Sequence, residues 1–144
     1  MDRVESGLFI SGAQEAGSSA WLASCGIQRI LNCAVELHGM EYPKGPWTVE
    51  RIGLFDADSY EDEPAAEAML RTAAGQIRQW RKEGLTVLVH CRAGISRSAA
   101  VIAAYLVLYG KCNAQVALFR VRAAHPCARP NPYYLEILNG LTPS

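Results

Sequence analysis

The sequence predicts an α/β domain: a central, mostly parallel sheet of about five strands with helices on both faces. Three observations carry this expectation. Short apolar runs alternate with stretches of helical periodicity along the whole chain. Residues 85–89, Leu-Thr-Val-Leu-Val, are almost wholly apolar, as a parallel strand covered on both sides requires. Ligands in such folds sit beyond the carboxyl ends of the strands, and a dense polar stretch, residues 90–98, begins where that strand ends.

Taken in order, residues 8–11 form a short strand, paired with residues 3–5. Residues 13–25 form one helical stretch, and Gly26 suits its end. Residues 27–34 are a second core strand. Residues 39–47 hold Pro43, Gly45 and Pro46 and read as a loop. Residues 48–55 are a third strand, and 56–63 an acidic loop. The helix that follows carries Pro64 in its first turn, with Asp62 as its cap. Ala66, Met69, Leu70, Ala73, Ile77 and Trp80 recur at helical spacing and read as core. Gly84 ends that helix. Beyond residue 96, helices are expected near 97–109, 113–124 and 132–140. Neither repeats nor linkers interrupt the pattern, so residues 1–144 read as a single domain.

A chain of 144 residues can bury one proper core. Lys and Arg balance Asp and Glu to a net charge of zero, which argues against nucleic-acid binding through a basic surface. No apolar run reaches the ~18–20 residues of a membrane span, so no membrane insertion is expected. No basic-then-apolar leader opens the chain, and Asp2 stands where myristoylation requires glycine. The five cysteines have no Cys-x-x-Cys spacing, so no metal site is expected. Free thiols suit a reducing compartment. The expectation is a monomer of the cytoplasm, with the nucleus also open to it.

Residues 90–98 read His-Cys-Arg-Ala-Gly-Ile-Ser-Arg-Ser. The strand delivers Cys91, a loop follows, and a run of small apolar residues then starts a helix. Unpaired N–H groups and the helix dipole favour an anion at that helix N-terminus. A loop of this length can curl so that its amides converge as an anion nest, and Gly94 is the residue best able to take the necessary backbone angles. A cysteine at the floor of such a nest is a candidate pre-ionised nucleophile. Arg97 can offer a planar fork to two phosphate oxygens, which lysine cannot match. Ser98 could donate a hydrogen bond to the sulfur. His90 and Cys91 are adjacent in a strand and point to opposite faces, so His90 reads as a buried support rather than a base for Cys91.

This motif resembles the Cys–five residues–Arg signature of the protein tyrosine phosphatase superfamily, in its dual-specificity branch. The resemblance runs along nearly the whole chain. Residues 7–12, Gly-Leu-Phe-Ile-Ser-Gly, are similar to the family's opening strand, and residues 26–33, Gly-Ile-Gln-Arg-Ile-Leu-Asn-Cys, to its Gly-Ile-x-x-Ile-Leu-Asn segment. Arg129-Pro130-Asn131 is similar to its late Pro-Asn. One departure is Gly53, where the family usually has a proline ahead of its acidic residue, and this is expected to loosen that loop.

The resemblance implies a phosphotyrosine-phosphatase-like fold of the small single-domain type. It implies a phosphate loop of Arg92, Ala93, Gly94, Ile95, Ser96 and Arg97, with Cys91 as nucleophile and no cofactor. Asp56 is the family-matched general acid, Asp58 the alternative. Asn131 would buttress the phosphate loop. Arg92 is read as either solvated or a cation at the substrate rim. His38 and His125 are read as surface residues. The chain is too short for the deep-pocket tyrosine-specific branch, so a shallow cleft open to phosphotyrosine, phosphoserine and phosphothreonine is expected, with a phosphoprotein as substrate. Lipid phosphatases of the superfamily carry extra lysines in the loop, where this chain has Ile95 and Ser96. A phosphoinositide or other non-protein phosphate ester, or a phosphate-binding adaptor on the same fold, stays open as the alternative. Cys33 ends the strand expected beside that of Cys91. It is read first as packing in the core, with a role as redox partner of Cys91 kept as the alternative.

Overall fold

The computed structural model describes residues 2–143. Five strands form one sheet: β1 (Arg3–Glu5), β2 (Leu8–Ser11), β3 (Arg29–Ala34), β4 (Thr48–Leu54) and β5 (Val87–His90), in the order β1-β2-β5-β3-β4. Only the β1–β2 pair is antiparallel; β2, β5, β3 and β4 run parallel. Six helices surround them: α1 (Ala13–Ala16), α2 (Ser19–Ser24), α3 (Ala66–Lys82), α4 (Arg97–Tyr109), α5 (Ala114–Ala124) and α6 (Pro132–Gly140).

Side chains alternate across the sheet, as the pleat dictates. Ile30 and Leu88 face one way, into a small core with Ala16, Leu22 and Ile27. Leu31, Val87 and Val89 face the other way, into the main core under α3 to α6. Helix α4 lies at the centre of that core. It is buried from Arg97 to Ala104 and again from Leu106 to Leu108, and it packs against α3, α5 and α6. Its many alanines let the surrounding helices approach closely. The apolar stripe of α3 is buried at Ala66, Leu70, Ala73, Ile77 and Trp80, with Met69 at its margin.

The structure corrects five expectations. Residues 13–25 are two short helices, because Ser18 accepts a hydrogen bond from Trp21 N–H and caps a new start. Strand β3 begins at Arg29 rather than residue 27, and β5 spans Val87–His90 rather than residues 85–89. Pro64 lies outside α3, whose cap position is Ala65. Asp62 does not cap that helix; its carboxylate accepts instead from Asp58 N–H at 3.4 Å, within the acidic loop.

Candidate active site

Three parallel strands, β2, β5 and β3, end side by side, and their carboxyl ends define the site. His90 pairs in register with Ser11 on one side and Asn32 on the other. The next residue, Cys91, leaves the sheet and opens the loop to α4. The loop is clasped from the β2 end: Ala13 N–H donates to Arg92 O at 2.9 Å. Gly94 has φ +73°, and a Cβ there would lie 2.8 Å from the backbone of Ser11 and Gly12. Both the conformation and the close approach demand glycine.

The curl brings donors to the sulfur. Gly94 N–H donates to Cys91 Sγ at 3.2 Å, and Ser98 Oγ lies 3.3 Å from it. Cys91 and Ser98 are both buried. Arg92 and Ala93 are exposed on the outer side of the loop. Arg92 also lines the cleft, so it stands at the rim.

Arg97 is held rather than free. Its Nη1 and Nη2 donate to the two carboxylate oxygens of Glu36, each at 2.6 Å, and Nη1 also donates to Leu54 O at 3.0 Å. A guanidinium has five N–H donors. These contacts use three, leaving Nε–H and the second Nη2–H, which lie along one edge. That edge is a side-on fork for two oxygens of an oxyanion. Arg97's hydrogen bonds hold the Glu36 carboxyl down to about 2, against its ordinary 4.5. Burial disfavours the Arg97 charge, but the Glu36 hydrogen bonds and the nearby Cys91 more than offset this, and its pKa is raised.

His90 is fully buried behind the loop. Its ring bridges Cys91 O, 3.1 Å from Nδ1, and the Tyr42 hydroxyl, 2.6 Å from Nε2. Burial pulls His90 down to about 4 and pushes the Tyr42 phenol up to about 12. The imidazole is therefore neutral at pH 7. Nδ1–H donates to the carbonyl, and the phenol donates to Nε2.

The cleft above the loop measures about 280 Å³ and is lined by Glu36, Asp56, Cys91, Arg92, Ile95 and Arg97 among others. The structure brings Asp56 to Cys91 and leaves Asp58 out, in a separate depression beside Tyr60, Tyr133 and Glu136. The acidic loop that follows Gly53 is tethered from the start of α6. Tyr134 Oη donates to Phe55 O, and Asn131 Nδ2 to Ala57 O. The same Asn131 donates its backbone N–H to Ser96 Oγ at 3.1 Å and caps α6 by accepting from Tyr134 N–H at 3.0 Å. One residue thus ties the acidic loop to the phosphate loop. Gly53 itself packs close to Val35: a Cβ would meet Val35 Cγ2 at 3.2 Å.

Cys33 follows Asn32, and Cys91 follows His90, which Asn32 faces across the β3–β5 pair. Both cysteines belong to the main core. Burial, with the adjacent Cys91, pushes the Cys33 thiol well above its ordinary value.

Glu36, Tyr42 and Tyr134 are absent from the sequence-predicted set. Glu36 had one signal: it lies just past the carboxyl end of β3, where ligand-facing residues of such sheets gather.

Comparison with known proteins agrees with this geometry. Residues 8–142 match the family model for the dual specificity phosphatase catalytic domain. The chain is 35% identical over 131 residues to human dual specificity phosphatase 28, covering 90% of this chain and 70% of that protein. It is 33% identical over 136 residues to human protein phosphatase Slingshot homolog 3, covering 94% of this chain but 20% of that protein. The crystal structure of a point variant of human dual specificity phosphatase 28 superposes with a TM-score of 0.82 at 32% identity, over 94% of this chain and 89% of that one. With its fold, its loop and its sequence in agreement, the chain belongs to the dual specificity phosphatase catalytic-domain family.

Proposed function

We propose that residues 1–144 form one catalytic unit that hydrolyses phosphotyrosine, phosphoserine and phosphothreonine in proteins through a phosphocysteine at Cys91. One observation carries this reading. The Cys91 sulfur, with Gly94 N–H and Ser98 Oγ directed at it, shares a cleft with an arginine whose Nε–H and second Nη2–H donate to none of the described residues.

The chemistry follows from the placement. A phosphate dianion enters the loop and takes two hydrogen bonds from Nε–H and Nη2–H of Arg97. Backbone N–H groups of residues 92–97 supply the remaining donors. The Cys91 sulfur attacks phosphorus in line, and the P–O bond to the leaving group breaks. Asp56 gives its proton to the leaving oxygen, a service typically worth roughly 10²–10⁴-fold. Asp56, now a carboxylate, takes a proton from water as that water attacks the phosphocysteine. The P–S bond breaks, Ser98 steadies the departing thiolate, and inorganic phosphate leaves. His90 and Asn131 act as positioning residues behind and beside the loop.

The rim supports a protein substrate. Ile95, 41% exposed, lines the cleft, and Phe55, 51% exposed, directly precedes Asp56 in the chain. They suit the apolar flank of a peptide. The loop carries Ile95 and Ser96 and no lysine, which disfavours a polyphosphorylated inositol ring. We place such a molecule in the cytoplasm or nucleus, as a monomer. Cys33, the residue after Asn32 as Cys91 is the residue after the facing His90, is our proposed redox partner.

The test is a panel of phosphotyrosine, phosphoserine and phosphothreonine peptides against phosphoinositide vesicles and an aryl phosphate. Turnover of peptides and aryl phosphate ahead of vesicles is expected. Faster turnover of phosphoinositides would transfer the reading to a lipid phosphatase. Binding with no turnover of any substrate would point to an adaptor.

A further inference from the structure

A second nucleophilic constellation lies outside the phosphate cleft, at the turn after α5. His125 is the residue just past α5; its N–H donates to Val121 O at 2.9 Å, and its carbonyl accepts from Ala128 N–H at 2.9 Å. Pro126 stiffens the turn between. The backbone of His125 is thereby held, and two contacts orient its ring. Nδ1 lies 2.8 Å from Asp2 Oδ1, and Nε2 lies 3.1 Å from Cys127 Sγ. A carboxylate only accepts, so Nδ1–H donates to Asp2 and Nε2 offers its lone pair to the Cys127 S–H. His125, expected at the surface, is largely covered, whereas Cys127 is exposed. Nucleophile, base and orienting acid stand in the relation that activates a thiol.

Cys127 also borders a built surface. A depression of about 550 Å³ is lined by Ile95, Arg122, Pro126, Cys127, Ala128 and Arg129. Arg122 is fixed there, its Nε–H donating to Ala128 O at 3.1 Å. Both arginines are exposed. The depression abuts the phosphate loop: Arg129 N–H donates to Ile95 O at 2.6 Å, and Ile95 lines both hollows.

We propose that Cys127 is a base-assisted reactive thiol that exchanges with small anionic disulfides, of the class of oxidised glutathione, held by Arg122 and Arg129. As the Cys127 sulfur attacks one sulfur of the disulfide, its proton passes to His125 Nε2. The S–S bond breaks, and the departing thiolate takes that proton. The products are a Cys127 mixed disulfide and one free thiol; Cys127 is oxidised and half of the reagent is reduced. The adduct fills the hollow behind Ile95 and narrows access to the phosphate cleft. That last consequence rests on the proposed function; the thiol's reactivity does not.

The experiment has two arms. In Cys91→Ser protein, oxidised glutathione or neutral 2-hydroxyethyl disulfide is added and the adducts are mapped by mass. Cys127 should react at least about tenfold faster than Cys25 and Cys112. His125→Gln should slow it about tenfold with either reagent, and Asp2→Asn should slow it in the same sense without touching the turn. Arg129→Gln should slow glutathione alone. Equal rates at the three cysteines, or rates indifferent to both His125→Gln and Asp2→Asn, would overturn the proposal. An equal effect of Arg129→Gln on both reagents would remove the anionic specificity. In the second arm, wild type is treated while inorganic phosphate occupies the Cys91 loop, then diluted into aryl phosphate. Wild type should lose rate and recover it with dithiothreitol, while Cys127→Ser keeps its rate. Equal loss in both proteins would overturn the link to the cleft.

Discussion

Replacing Glu36 by Gln tests how Arg97 is held. Glu36→Gln preserves shape but removes the charge. The amide keeps one oxygen to accept from Arg97 and turns its NH₂ toward the other Nη, donor against donor. Arg97 loses one of two charge-assisted bonds at 2.6 Å, and such bonds are worth about 1.5–3 kcal/mol. The guanidinium side chain is only 6% exposed, so water can do little to replace the lost acceptor. If the whole loss reaches the transition state, kcat/KM falls about tenfold to a hundredfold. The assay is steady-state hydrolysis of an aryl phosphate, with thermal unfolding as a check on folding. Because Arg97 holds Glu36 down to about 2, the carboxylate is charged throughout the range from about pH 4 to 8, and the deficit should be constant across it. Activity within about twofold of wild type in a folded variant would refute the positioning role. A lowered KM with raised kcat/KM would instead make Glu36 a competitor of substrate for Arg97.

Asp56→Asn should slow alkyl phosphates far more than activated aryl phosphates, since only poor leaving groups need protonation; if Asp58→Asn gives that pattern and Asp56→Asn does not, the acid is misassigned. His90 makes stability depend on pH. Burial lowers it from 6.5 to about 4 in the folded state, so the unfolded chain gains a proton first as pH falls. Its contribution is present above pH 6.5 and is lost between 6.5 and about 4, by up to about 3 kcal/mol. Urea midpoints at about pH 7 and about pH 4.5 should differ more for wild type than for His90→Gln; equal differences would refute this. Mild peroxide should give a Cys33–Cys91 peptide pair in wild type, with poorer recovery in Cys33→Ser; over-oxidised Cys91 in both proteins would reject the redox pairing.

Much of the molecule is legible in the sequence because its signals are local. Strand β2 and helices α4 and α6 lie where apolar period and punctuation place them, and the Cys91–Arg97 loop is contiguous. Gly94 is readable from the curl alone. What stays hidden depends on tertiary contact. Glu36 reaches Arg97 across 61 residues and Tyr134 reaches Phe55 across 79, and no local pattern announces either. The tethers of the acidic loop to Asn131 and Tyr134 at the start of α6 are long-range for the same reason. The break at Ser18 is local and readable, since Ser followed by a new apolar turn is a helix start.

The central claim is that Cys91 carries phosphate between substrate and water. Rapid acid quench of wild type with a phosphorylated aryl ester, followed by peptide mapping, addresses it directly. A phosphoryl group should appear on the peptide containing Cys91, formed and discharged at rates no slower than turnover. Cys91→Ser should show neither phosphoenzyme nor hydrolysis while still binding the ester. Hydrolysis by Cys91→Ser comparable to wild type, or a phosphoryl group on another residue, would contradict it.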